Sequence, residues 1–210
     1  MKNLFVVSLA LASIGLNAQT FLSTDVIGFF FENYGMQFEY PYNAQNSFAL
    51  NANYTSRNKL NQGSSSQYSE YSFAPQYRYY LSTEKTADGY FAGVYLKYRS
   101  SNFKDVPLVF LDDAAFATSS EKSNVSSSSL GIGVINGYKW ITSKRLFFEF
   151  DLGLGKYFIN NINYSNALVN DKGSPDPDDF LPFLGNEFKL DFILSLRAGV
   201  SLGGKEKEKK

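Results

Sequence analysis

The sequence predicts an all-β fold, an eight-stranded antiparallel up-and-down transmembrane β-barrel. The main observation is the alternation in residues 187–202 (EFKLDFILSLRAGVSL), where every even position is apolar and most odd positions are polar or charged. Successive side chains of a strand point to opposite faces, so one face is apolar and the other polar. An average strand has about five or six residues, whereas a membrane barrel strand needs about nine to eleven. The length of the pattern favours the membrane barrel.

The second observation is the layout of the strands and their connections. The predicted strands are 24–31, 36–40, 47–55, 68–81, 89–99, 127–141, 146–158 and 187–202. The predicted connections alternate between short (41–46, 82–88, 142–145) and long (56–67, 100–126, 159–186), with the tight turn 32–35 as an exception. Outer-membrane barrels have short periplasmic turns and longer extracellular loops. An even strand number places both termini at the short-turn end.

Several strands carry more detailed expectations. In the first strand, Ile27, Phe29 and Phe31 are predicted to face outward, although its alternation is ambiguous. Pro75 cannot donate to a β-ladder, which predicts a bulge in the fourth strand. The apolar stretch 106–116 (VPLVFLDDAAF) predicts a short helix or a segment folded over the barrel mouth. Asn136 interrupts an otherwise apolar outward face, and the sequence offers no reason for it.

The third observation is the position of the aromatic residues. Several of them fall near the short-turn ends of their strands, where they would form an aromatic girdle at one membrane interface. These are Tyr40, Tyr77, Tyr79, Tyr90, Tyr138 and Trp140.

The termini predict export. Residues 1–18 have a charged start, an apolar centre and a small-residue end at Ala18, which is typical of a cleaved signal peptide. The barrel would comprise 19–204, followed by a charged periplasmic tail at 205–210. The mature chain would have 19 basic and 20 acidic residues, a balance that argues against nucleic-acid binding.

The predicted inward faces carry both charges and define a lumen network. An eight-stranded barrel is narrow enough to be filled by its own side chains, so an ion-pair network would plug it. The alternative is a narrow polar channel. The network residues are Glu39, Glu70, Arg78, Lys97, Arg99, Lys139, Glu149, Asp151, Lys189, Asp191 and Arg197.

The composition argues against catalysis. The chain has no His and no Cys, so a nucleophile has no obvious base and the commonest zinc ligands are missing. The acidic stretch 174–179 (SPDPDD) lacks the spacing of a calcium loop and reads more simply as a stiff solvated loop. We therefore expect a protein that is not an enzyme, with no cofactor and no metal site.

Some segments resemble a known family. Residues 74–81 (APQYRYYL) with 89–93 (GYFAG), 130–133 (LGIG) with 137–140 (GYKW), and 153–155 (GLG) resemble small outer-membrane barrels of unknown function common in Bacteroidetes-type bacteria. The resemblance extends from about 24 to 202 and implies a barrel of the OmpA/OmpX type in a Gram-negative outer membrane, without an activity. Residues 197–202 (RAGVSL) also resemble a barrel-assembly signal, although they lack its final aromatic.

The expected role is structural or surface-interactive. Partners would be outer-membrane lipid, the barrel-assembly machinery during insertion, and an unknown extracellular partner at loops 100–126 and 159–186. The competing hypothesis is a secreted soluble β-barrel that binds a small apolar ligand. It would place the apolar face of 187–202 inside, whereas the membrane barrel places Asp191 and Arg197 inside.

Overall fold

A computed structural model describes residues 19–57, 67–82, 86–111, 118–142, 145–165 and 190–203, with the side chains of 106–111, 118–123 and 164 excepted. The described strands form one closed barrel in which each strand pairs antiparallel with its neighbours in sequence and β8 pairs with β1. The elements are β1 (Thr20–Asp25), α1 (Val26–Phe30), β2 (Asn33–Pro41), β3 (Asn46–Arg57), β4 (Gln67–Tyr80), β5 (Gly89–Leu111), β6 (Thr118–Ile141), β7 (Leu146–Tyr164) and β8 (Leu190–Leu202). The predicted fold class is confirmed.

The first strand was predicted at the wrong place. β1 ends at Asp25, and residues 26–30 form α1, so Ile27, Phe29 and Phe31 are not strand residues. Asp25 caps the helix, because its carboxylate accepts a hydrogen bond of 3.1 Å from the backbone N–H of Gly28. The first connection is therefore this helix with its flanks, and the tight turn 32–35 is replaced by the start of β2.

The strands β5, β6 and β7 are longer than the sequence predicted. β5 continues to Leu111 and pairs with β6 from Leu111↔Thr118 downward, with a register shift between Phe103 and Val106. The stretch 106–111 is thus a strand and not a helix, whereas 112–117 lies outside the described residues. Hydrogen bonds between strands satisfy the backbone wherever the ladder continues. The sequence did not predict the extension of β6 because the composition of 118–126 is polar and typical of a loop.

The predicted bulge at Pro75 is also wrong. Pro75 pairs with Leu50 in an unbroken register between β3 and β4. Toward β5, the ladder is interrupted between Phe73↔Tyr98 and Gln76↔Tyr95 but resumes in the same register. The missing N–H of proline costs a ladder bond here without adding a residue.

The described side chains reverse the arrangement that a soluble barrel requires. Large apolar residues stand outward and exposed on the strands, including Phe192 and Leu194 of β8, while Asp191 and Arg197 are buried inside. The facing proposed for the soluble alternative is wrong for these strands. No helix among the described residues is long and apolar enough to cross a membrane.

Candidate functional site: the lumen

Six charged side chains from five strands meet inside the barrel near the short-turn end. All are at most 1% exposed, and three carboxylates balance three cations. We call this set the lower cluster; it comprises Glu39, Arg78, Lys139, Glu149, Asp151 and Arg197. Alternation along the strands places every one of them on the inner face.

The lower cluster is joined by short ion pairs. Arg78 Nη1 lies 3.2 Å from Glu39 Oε2 and 3.0 Å from Glu149 Oε1. Lys139 Nζ contacts Glu39 and lies 3.1 Å from Glu149 Oε2. Arg197 Nε lies 2.8 Å from Asp151 Oδ2. Each buried charge thus has an opposite partner, which is the condition under which buried charges are tolerated.

Neutral side chains supply further hydrogen bonds to the carboxylates. Tyr80 Oη and Ser47 Oγ donate to Glu39 Oε1 at 2.8 and 2.5 Å. Gln37 Nε2 donates to Glu149 Oε1 at 2.8 Å, and Gln37 Oε1 accepts from Arg78 Nη2 at 2.9 Å. The cluster is therefore held from several strands at once.

An aromatic layer packs against the cations of the lower cluster. The Arg78 guanidinium carbon lies 4.4 Å from the centre of the Phe91 ring, and Lys139 Nζ lies 4.4 Å from Phe21 and 5.0 Å from Phe147. Phe21 and Phe147 meet edge to face at 5.4 Å. These contacts add cation–π attraction and exclude water. Sequence analysis did not assign these rings to the lumen.

A second group of charges lies toward the long-loop end. Lys97 Nζ is 2.7 Å from Asp191 Oδ1, and the hydroxyls of Tyr95 and Tyr157 donate to the same carboxylate at 2.8 and 2.9 Å. Arg99 Nε is 3.9 Å from Glu70 Oε2. These upper pairs are 7 to 18% exposed at their side chains, so this half of the lumen is less tightly closed.

Glycines on the inner face make room for the large rings. A Cβ on Gly133 or Gly155 would collide with the Tyr95 ring or hydroxyl. At Gly199 it would collide with Phe147, and at Gly137 with Phe91.

A cavity of about 100 Å³ lies above the lower cluster, toward the mouth. Its lining includes Asp25, a buried carboxylate that sequence analysis missed because the first strand was misplaced. The buried Asn51 Oδ1 and Arg197 Nη1 have no hydrogen-bond partner among the described residues. The sequence contains one signal for the position of Asp25: an Asp immediately before an apolar segment is a helix N-cap pattern.

The remaining predicted site residues are located as follows. Tyr77, Tyr79, Tyr90, Tyr138 and Trp140 point outward and are 37 to 62% exposed, and Tyr40 points outward and is half-buried. Lys189 lies outside the described residues. No group of three or more His, Cys, Asp or Glu side chains suited to a metal ion occurs within the described ranges.

Outward apolar side chains such as Val94, Leu96, Ile132 and Val134 form a belt around the barrel. This outer apolar belt ends at different heights on different strands. One row of outward cross-strand neighbours runs through Tyr34, Tyr54 and Tyr71 and continues as Ser100, Ser128 and Asn161. Beyond this row, outward residues whose side chains are described are polar and exposed, as at Asn102, Lys104 and Asn163. We call residues 100–105, 124–128 and 161–163, which lie beyond the belt on β5–β7, the hydrophilic extension.

A family model described as "Protein of unknown function (DUF3575)" matches residues 4–182. No curated protein matches the chain. Among solved structures, a major outer membrane protein from Thermus thermophilus is similar, with 14% identity, 89% of this chain and 100% of that chain covered, and a TM-score of 0.49. Acinetobacter baumannii CarO2 is similar with 10% identity, 89% and 98% coverage and a TM-score of 0.44. Neither likeness carries information on function.

Proposed function

The chain belongs to the DUF3575 family of proteins of unknown function, and we propose that it is a plugged, non-catalytic β-barrel of the Gram-negative outer membrane with a structural or surface-interaction role. The observation that carries this proposal is the reversal of polarity: the outside of the barrel is apolar and the inside holds a neutral, fully buried ion cluster. In water, such an outer surface would be an aggregation hazard, whereas in lipid it is the required one.

The belt supports insertion in a bilayer. Outward residues between the girdle and the hydrophilic extension are mainly aliphatic, such as Val94, Leu96, Ile132 and Val134. The closed barrel leaves no sheet edge along most of its circumference, so the backbone is satisfied without water. The signal peptide predicted at 1–18 supports export, and the barrel-assembly machinery would then be its insertion partner.

The lower cluster supports a closed lumen. Its six charges, together with Phe21, Tyr80, Phe91 and Phe147, fill the cross-section near the short-turn end with side chains that are at most 1% exposed. An aqueous pathway needs a wider barrel or a displaced plug. We propose that the barrel does not conduct ions, in preference to the narrow-channel alternative.

The hydrophilic extension supports an interaction with an extracellular partner. A concave site of about 490 Å³ lies there and is lined largely by polar residues, among them Asn102, Lys104 and Asn163. Because seven of the nine lining residues have hydrogen-bonding side chains, the expected partner presents hydrogen-bonding groups. The predicted contact loops 100–126 and 159–186 coincide in part with this extension.

Membrane fractionation and gel migration test the proposal. Expressed in a Gram-negative host, the protein should sediment with outer membranes, resist carbonate extraction, and migrate faster when unheated than when boiled. Recovery in the soluble periplasm without detergent would contradict the membrane assignment. Purified protein in planar bilayers should be silent; reproducible unitary conductance would contradict the plug but leave the membrane assignment intact.

A further inference from the structure

The wall of the barrel is incomplete beside α1. β1 pairs with β8 only from Thr20↔Leu202 to Asp25↔Arg197, and with β2 only as far as Thr24↔Met36. Beyond these pairs, β8 continues to Leu190 and β2 to Asn33. Within the described part of the chain, the facing edges of 190–196 and 33–35 therefore have no strand between them. The short helix α1 lies in this gap and contacts both strands.

The helix is a slender cover for the gap. Its only buried residue is Gly28, where a Cβ would collide with the Asn33 carbonyl oxygen and lie 3.2 Å from the Asp25 carboxylate. Phe29, Phe30 and Phe31 are 50, 83 and 59% exposed. Phe29 meets Tyr34 edge to face at 5.6 Å, and Tyr34 begins the uppermost aromatic row of the belt. The exposed rings thus continue the lipid-facing surface up to the gap.

The cavity of about 100 Å³ reaches the same gap from inside. Four consecutive residues of the unpaired β8 edge, 192–195, line it, together with Asp25 and Asn33 on either side of α1. The side chains of Phe192 and Leu194 face outward and are 73 and 59% exposed. The polar interior and the apolar exterior are therefore separated at this point by one edge strand and one helix.

The cavity carries unsatisfied polar groups of both kinds. Arg197, which is 1% exposed, has a donor without a partner at Nη1, and Asn51, which is 2% exposed, has an acceptor without a partner at Oδ1. Asn33 Oδ1 is a second such acceptor. Two hydroxyl groups satisfy all three, because each supplies one O–H donor for an amide oxygen and an oxygen that can accept from Arg197. The carboxylates of Asp25 and Glu70 are balanced by Lys97 and Arg197 in the lining, so the cavity favours an uncharged group. The volume corresponds to about three water molecules.

We propose that this gap is a lateral binding site for a single-chain amphiphile with a small uncharged hydroxyl headgroup. The headgroup occupies the cavity beside Asn51 and Arg197, and the acyl chain leaves between β8 and α1 to lie on Phe192 and the belt. This inference rests on the proposed membrane location, because the acyl chain needs lipid around it.

Thiol protection tests the proposal, since the natural chain contains no cysteine. Asn53, which lines the cavity, is replaced by cysteine (Asn53→Cys). The variant is placed in phosphatidylcholine nanodiscs. The labelling rate with a small hydrophilic thiol reagent is measured with and without monododecanoylglycerol. At about ten times its Kd, the amphiphile should slow labelling about tenfold, because only the empty fraction reacts. Asn102→Cys on the hydrophilic extension is the matched control, and its rate should not change.

The other probes separate the outcomes. Glycerol, which lacks the chain, and dodecane, which lacks the headgroup, should not protect Asn53→Cys at the same concentration. Protection by glycerol would replace the lateral site by a polar site filled from the mouth. An unreactive Asn53→Cys, or equal rates with and without the amphiphile, would overturn the inference. Heat-modifiable migration of the same variant reports separately whether the membrane barrel has formed.

Discussion

The two halves of the lumen contain the same types of side chain but differ in how well they exclude water. Both halves combine carboxylates and cations with tyrosine hydroxyls, yet the charged side chains of the lower cluster are at most 1% exposed and those of the upper pairs 7 to 18%. The difference lies in the neighbours: phenylalanine rings pack against both Arg78 and Lys139, whereas among the described cations of the upper half only Arg99 stacks on a ring, Tyr157, and a cavity lies beside Lys97. Ion pairs alone do not close a barrel; the rings around them exclude water. The lower half is built as a closure and the upper half as a mouth.

The largest expected effect comes from removing a cation from the lower cluster. Arg78→Met leaves Glu39 and Glu149 with fewer cations in a dry environment, so the free energy of unfolding should fall by about 3–5 kcal/mol. Urea unfolding in phosphatidylcholine vesicles, followed by the gel shift, measures the loss. Arg99→Met in the upper pairs is the matched control, with an expected loss of about 1 kcal/mol or less. Equal losses would mean that the two halves are energetically alike.

The outer surface should show its own boundary on a single strand. Val134→Arg places a charge in the belt and should lower the unfolding free energy by about 2–4 kcal/mol, whereas Ser128→Arg, at the polar end of the same face, should cost about 0–1 kcal/mol. Urea titrations in vesicles, followed by tryptophan fluorescence, give both values. If Ser128→Arg lowered the unfolding free energy as much as Val134→Arg, the apolar belt would have to extend beyond residue 128 of β6.

The space beside Tyr95 should be sensitive to small additions. Gly133→Val would force the Tyr95 ring out of its position, and overpacking of this kind costs about 1–3 kcal/mol. The outward Ala92→Val adds the same class of side chain toward lipid and should stay within about 0.5 kcal/mol. Combining Gly133→Val with Tyr95→Ala should recover part of the loss. Strict additivity of the two changes would show that the collision is not the cause.

The smallest change probes water access along one inner face of β3. Thr55→Cys, half-buried near the mouth, should react with a hydrophilic thiol reagent in the folded barrel, whereas Ser47→Cys beside Glu39 should react only after unfolding in urea. The reagent uptake of each single-cysteine variant is read by mass spectrometry. Labelling of Ser47→Cys in the folded barrel would show that water reaches the lower cluster and would contradict the plugged lumen.

The period-two pattern was sufficient wherever one face is consistently apolar. It predicted the inward orientation of residues such as Glu39, Arg78 and Glu149 because a strand's alternation is geometrically fixed. It failed for β1, where both faces of 24–31 contain large apolar residues and no alternation distinguishes a strand from a helix. The register of β1, and with it the inward position of Asp25, had to come from its pairing with β8.

Polar strands were also missed, for a related reason. Residues 100–105 and 118–126 read as loop because Ser, Asn and Lys are common in loops, yet they extend the β5–β6 hairpin beyond the belt. Outside lipid, neither face of such a strand is selected for apolar side chains, so no signal of period two remains.

The sequence by itself determined the barrel, the number of its strands, the apolar outer belt and most of the inward charges, because these follow from local alternation. Only the tertiary structure decided which charges meet, which rings pack beside them and where the wall is left open. Glu39, Arg78 and Lys139 come from three different strands, and their contacts depend on barrel closure and register. The helix α1 lies where β1 ends before the neighbouring strands β2 and β8 do. Its position therefore depends on the lengths of these three strands.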